Sequence, residues 1–146
     1  MQNNNYMVLK VPALNENDSF IRSAIAAFCC NLNPTIEEIN DVKTAVSEGF
    51  TNAVVHGYGK NSYDKEVIIE VYIYDKSVKI IISDFGKGIE DINQARQPFY
   101  TTKPDEERSG MGFTVMEYFM DSLEVISGKE EGTKLILIKK FGEKNK

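Results

Sequence analysis

No stretch of this sequence approaches the ~20 apolar residues that a membrane span requires, and the opening MQNNNYMVLK lacks the charged start and long apolar run of a secretory signal. The expectation is a cytoplasmic protein. Basic residues are in deficit: 17 Lys and Arg against 22 Asp and Glu leave a net charge of -5. That argues against broad nucleic-acid binding, which needs a face basic enough to neutralise phosphates. Cysteine is confined to the adjacent pair Cys29 and Cys30 in an apolar stretch, where sterics disfavour a mutual disulfide and metal-site spacing is missing. They read as buried or half-buried thiols in a reducing compartment. Repeats, low-complexity tracts and long linkers are absent as well. The 146 residues, 42% hydrophobic and 27% charged, are therefore read as one domain, 1–146.

What is present is a regular alternation of patterns. Residues 6–11, YMVLKV, are β-branched and apolar and end at Pro12, which suits an edge strand. Helix caps in 15–19 precede Phe20, Ile21, Ala24, Ile25 and Phe28 at helical spacing, giving a first helix that ends near Asn31. Thr35-Ile36-Glu37-Glu38 is a capping box, and Ile36, Ile39, Val42, Val46, Phe50 and Ala53 then mark one apolar face of a helix running to about Val55. Two segments rich in Val, Ile and Tyr, 66–74 and 78–83, flank the turn Asp75-Lys76-Ser77 and predict a hairpin. A third helix is expected from Gly112 to about Met120, and a second hairpin from 123–126 and 134–140. The order β, α, α, β, β, irregular, α, β, β predicts an α/β (α+β) two-layer sandwich with helices on one face of a mixed, mostly antiparallel sheet.

Three features of this frame carry chemistry. Glu48, Asn52 and His56, four apart, form one polar row on a helix whose other face is apolar, with the small residues Gly49, Thr51 and Ala53 beside it. A solvated stripe is the plain alternative. A carboxylate can take a proton from a hydroxyl, however, and an amide oxygen can ligate Mg²⁺, so together Glu48 and Asn52 suit phosphoryl transfer. With an Asn among them, the three are a poor zinc set, and His56 reads as a helix-end cap. The second feature is Asp84-Phe85-Gly86-Lys87-Gly88, where an acid at a strand end needs a partner and the glycines let a flat heterocycle approach. Asp84 could accept an exocyclic amine there, though a mere turn would share the pattern.

The third feature, Ser109-Gly110-Met111-Gly112, stands directly before the third helix, where unpaired amides and the helix dipole favour phosphate. Neither a G-K-[ST] loop nor a dinucleotide fingerprint is present. The preceding Phe99-Tyr100-Thr101-Thr102-Lys103-Pro104 is polar and turn-rich and reads as a lid, with Lys103 and Arg108 placed to reach terminal phosphates.

Taken in order, Glu48-x-x-x-Asn52-Ala53, Asp84-x-Gly86-x-Gly88, Gly110-Met111-Gly112 and Gly132-Thr133 resemble the N, G1, G2 and terminal motifs of the Bergerat-fold ATPases, which include gyrase, Hsp90, histidine kinases and MutL. The segments 47–53, 56–58, 99–104 and 108–113 further resemble the anti-sigma factor serine kinases of sporulating bacteria. That resemblance implies ATP and Mg²⁺ as cofactors, with Glu48 as base and Asn52 as the Mg²⁺ ligand. It also implies Asp84 as the adenine reader, bordered by Gly86 and Gly88, and Thr133 near the base. Thr101, Thr102, Lys103, Ser109, Gly110, Met111 and Gly112 would contact the nucleotide, and Arg108 would stabilise the transferring phosphoryl group. The implied partners are a sporulation sigma factor (sigma F), near a face that includes Arg22, an isolated charge in the first helix, and an anti-anti-sigma factor as the phosphorylated substrate. A homodimer through the N-terminal strand is implied too. A non-catalytic ATP-binding sequestration module and a detached histidine kinase catalytic domain remain the alternatives. Histidine kinases usually carry Lys at the position of His56.

Overall fold

The computed structural model describes residues 5–97 and 112–142. Five strands, β1 (Asn5–Ala13), β2 (Ser62–Tyr74), β3 (Ser77–Asp84), β4 (Ser122–Ser127) and β5 (Thr133–Lys140), form one sheet in the order β1-β2-β3-β5-β4. Every pairing is antiparallel, so the sheet is not mixed. For two of the four pairings the reason is connectivity: short turns join β2 to β3 and β4 to β5, and hairpin connections permit only antiparallel neighbours. β1 is an edge strand, as its Pro12 requires.

Strand alternation places Val67, Ile69, Val71, Val78, Ile80, Ile82, Leu135 and Leu137 on the inner face. Helices cover that face. α1 (Asp18–Cys29) contributes Ile21 and Ile25, α2 (Ile36–Thr51) contributes Val42, Val46 and Phe50, and α4 (Gly112–Phe119) contributes Phe113 and Met116 to the same core. A four-residue helix, α3 (Ile92–Ala95), lies in the stretch that sequence pattern left irregular, with the Asp91 carboxylate accepting from the Gln94 amide at 3.0 Å. Cys29 is buried and Cys30 exposed, both as thiols. Burial pushes the Cys29 thiol up to about 12.

α2 starts as its sequence dictates. The Thr35 hydroxyl accepts from the Glu38 amide at 3.0 Å, and the Glu38 carboxylate accepts from the Thr35 amide at 2.9 Å. Its end departs from expectation, because a π-helical turn, Asn52–Gly57, replaces the last turn of α-helix. Among the described residues no helix is long and apolar enough to cross a membrane.

Candidate functional site: a cavity at the end of α2

The π turn builds the first wall. Its hydrogen bonds reach one residue further than those of an α-helix, as in the Tyr58 amide donating to the Ala53 carbonyl at 3.0 Å. Ala53, Val54 and Val55 face the core, while Asn52, His56 and Gly57 line a cavity of about 490 Å³. That volume falls within the usual range for small-molecule sites.

Asp84 at the end of β3 forms the floor and is only 5% exposed. A Cβ on Gly57 would stand 2.7 Å from its carboxyl carbon, so only glycine lets the π turn approach the acid this closely. The Gly57 carbonyl accepts from the Lys87 amide at 3.0 Å, and the Gly86 amide donates to Asp84 Oδ1 at 2.9 Å. Tyr58 braces the same junction, its hydroxyl accepting from the Phe85 amide at 2.8 Å and donating to the Glu66 carbonyl at 2.6 Å. Burial raises the Asp84 carboxyl to about 6, and the amides of Gly86 and Thr133 pull it back only in part.

The opposite wall comes from Gly88, held at φ 77°, from Ile89, and from Thr133 at the start of β5. Gln94 and Ala95 of α3 and Gly112 and Phe113 of α4 complete it. Charges gather at the mouth, where Lys129 Nζ lies 3.8 Å from Glu90.

Of the residues singled out from sequence, Asn52, Asp84, Gly88, Gly112 and Thr133 meet in this one cavity. Gly86 stands behind Asp84 and holds it, and does not line the space itself. Glu48 lies one turn before Asn52 on α2, its carbonyl accepting from the Asn52 amide. Thr101, Thr102, Lys103, Arg108, Ser109, Gly110 and Met111 lie outside the described residues. Arg22 is not the isolated charge expected, because its Nε sits 3.1 Å from Asp18 Oδ2, which also accepts from the Ser47 hydroxyl at 3.1 Å. An (i, i+4) partner on the same helix explains it. Sequence pattern gave Gly57 and Tyr58 no role in the site beyond the resemblance of segment 56–58, and it missed Ser127, whose hydroxyl lies 2.9 Å from that of Thr133.

Among the described residues no group of three or more His, Cys, Asp or Glu could hold a metal. The cavity instead offers the side chain of Asn52, a hard-oxygen donor suited to an ion that arrives on nucleotide phosphates.

The sequence matches the model of the histidine kinase-like ATPase domain over residues 11–139. It is 54% identical over 137 residues to the anti-sigma F factor of Clostridium perfringens, covering 94% of this chain and 97% of that one. The anti-sigma F factor of Clostridium beijerinckii is 56% identical over 137 residues, with 94% and 95% covered. That of Oceanobacillus iheyensis is 47% identical over 139 residues, with 95% and 94% covered. Among solved structures, the RsbU and RsbW domains of a Mycobacterium tuberculosis protein align with a TM-score of 0.69 at 15% identity, over 97% of this chain and 34% of that one. The catalytic domain of histidine kinase ThkA aligns with a TM-score of 0.58 at 14% identity, over 94% and 96%. These two likenesses are of fold.

Fold and cavity together define an ATP-binding domain of the histidine kinase-like class. Within that class, the chain belongs to the anti-sigma F factor family.

Proposed function

We propose that this chain is a protein serine kinase and anti-sigma factor, acting as a single domain over residues 1–146 in the cytoplasm. It would bind and inhibit a sporulation sigma factor (sigma F) and phosphorylate a serine of the matching anti-anti-sigma factor. The observation that carries the reading is the convergence of Asn52, Asp84, Gly112 and Thr133 on one cavity, with Glu48 a single turn from Asn52. Asp84 would accept the adenine amine, and the Asn52 oxygen would hold Mg²⁺ against the phosphates. Bound there, the ion supplies charge neutralisation on the phosphoryl oxygens. The substrate serine oxygen would then bond to the γ-phosphorus as the bond to the bridging oxygen breaks and ADP leaves. Glu48 would receive the serine proton.

Such transfer asks mainly for positioning and charge stabilisation, which a small site can supply. Incubation with γ-labelled ATP and an anti-anti-sigma protein should yield phosphoserine. Glu48→Gln should slow the labelling about 10² to 10⁴-fold while nucleotide still binds. Full activity in that variant would remove Glu48 from the mechanism. Sigma binding without any labelling would favour the non-catalytic module, and acid-labile phosphohistidine the histidine kinase alternative.

A further inference from the structure

Ser127, at the end of β4, has a single hydroxyl shared among three groups on two segments that reach the cavity. It accepts from the Ile89 amide at 2.8 Å, lies 2.8 Å from the Gly132 carbonyl, to which it can donate, and stands 2.9 Å from Thr133 Oγ1. Ile89 and Thr133 both line the cavity, and Thr133 is the register partner of Asp84 in the β3–β5 pairing. Ser127 thus touches two residues of the cavity wall, one of them the register partner of the buried acid.

A serine has one proton and two acceptor positions, and the Ile89 amide occupies one of the latter. The proton therefore decides the polarity of Thr133. Given to the Gly132 carbonyl, it leaves Ser127 to accept from Thr133, whose oxygen then offers only lone pairs to the cavity. Given to Thr133 Oγ1, it releases the threonine proton toward the cavity and makes Thr133 a donor. Beside its exocyclic amine, adenine carries a ring nitrogen that accepts, whereas guanine carries a carbonyl and a ring N–H that donates. An accepting Asp84 beside a donating Thr133 complements the adenine edge.

We propose that Ser127 is a positioning residue of the base-reading subsite, passing its proton to Thr133 when adenine is bound and anchoring the Gly88–Ile89 wall at the same time. The inference rests on the reading of the cavity as an adenine-nucleotide site. Calorimetric titration of the full chain with ATP and GTP, and thermal melting, would be run on wild type, Ser127→Ala, Ser127→Thr, Thr133→Val and the Ser127→Ala/Thr133→Val double variant. Ser127→Ala should weaken ATP about tenfold, on the scale of one hydrogen bond, and narrow the preference for ATP over GTP. Ser127→Thr, which keeps the hydroxyl, should stay within about twofold of wild type. In the Thr133→Val background, Ser127→Ala should cost much less than alone, because the residue it acts through is gone.

Unchanged ATP affinity in Ser127→Ala, an equal loss in both backgrounds, or an unaltered purine preference would each overturn the proposal. Should Ser127→Ala fail to fold, Ser127→Cys, of similar size and weak hydrogen bonding, carries the same expectations. A wild-type chain that fails to bind ATP would instead overturn the nucleotide reading itself, so the two failures are separable.

Discussion

Burial of Asp84 has two consequences of opposite sign. With its carboxyl raised to about 6 by desolvation, the folded chain holds the proton more tightly than the unfolded one does. The group therefore opposes folding increasingly as pH rises through about 6, by about 3 kcal/mol at neutral pH, and this penalty is gone below about pH 4. Nucleotide affinity should run the other way, because the carboxylate is the form that accepts an amine without a competing proton. We predict that ATP affinity falls toward tenfold per pH unit below about 6, as measured by titration between pH 5 and 7.5. Asp84→Asn should abolish that dependence, bind ATP poorly, and melt higher than wild type at pH 7.5 without any such gain at pH 4. A flat affinity profile would remove Asp84 as the base reader. Its place at the site was legible from an acid closing an apolar strand; the contacts of Ser127 were not, since a serine at a strand end has the same pattern whether it faces water or a threonine.

α2 shows what an element's sequence does and does not specify. Its start is local: the Thr35–Glu38 box satisfies amides that would otherwise lack partners, and both halves of it are formed. Thr35→Ala should cost about 1 kcal/mol, a fall of about 3 °C in melting temperature, with ATP affinity unchanged. A drop in affinity as large as that in stability would mean the cap acts on the site. Its end is not local. Residues four apart stay neighbours whether the helix is α or π, so the row Glu48, Asn52, His56 could not distinguish the two. The contact of Gly57 with Asp84 and Lys87, which are far away in sequence, accompanies the wider turn. α3 escaped notice because four residues are too few for a period, although Asp91-Ile92-Asn93-Gln94 carries a cap signal.

For the molecule as a whole, both hairpins and the two-layer arrangement followed from alternation and turn residues. The insertion of β5 between β3 and β4 did not, because it depends on pairing between distant segments. β1 leaves one sheet edge unpaired, and its outward residues Tyr6 and Val8 are exposed. We predict that light scattering at micromolar concentration will give twice the chain mass, and that Val8→Lys will shift it toward one. A wild-type monomer would contradict dimerisation through this strand. The cavity draws on the π turn after α2, β3, β5, α3 and α4, so no fragment of the chain contains it. A ligand held there can bind only the finished fold, and at a hundred times its dissociation constant it adds about 2.7 kcal/mol to stability. That is close to what the ionised Asp84 takes away. Emptying the cavity would then remove a contribution to stability of about the size of the penalty that the buried Asp84 imposes at neutral pH, so the unliganded fold should be the one that loses most as pH rises.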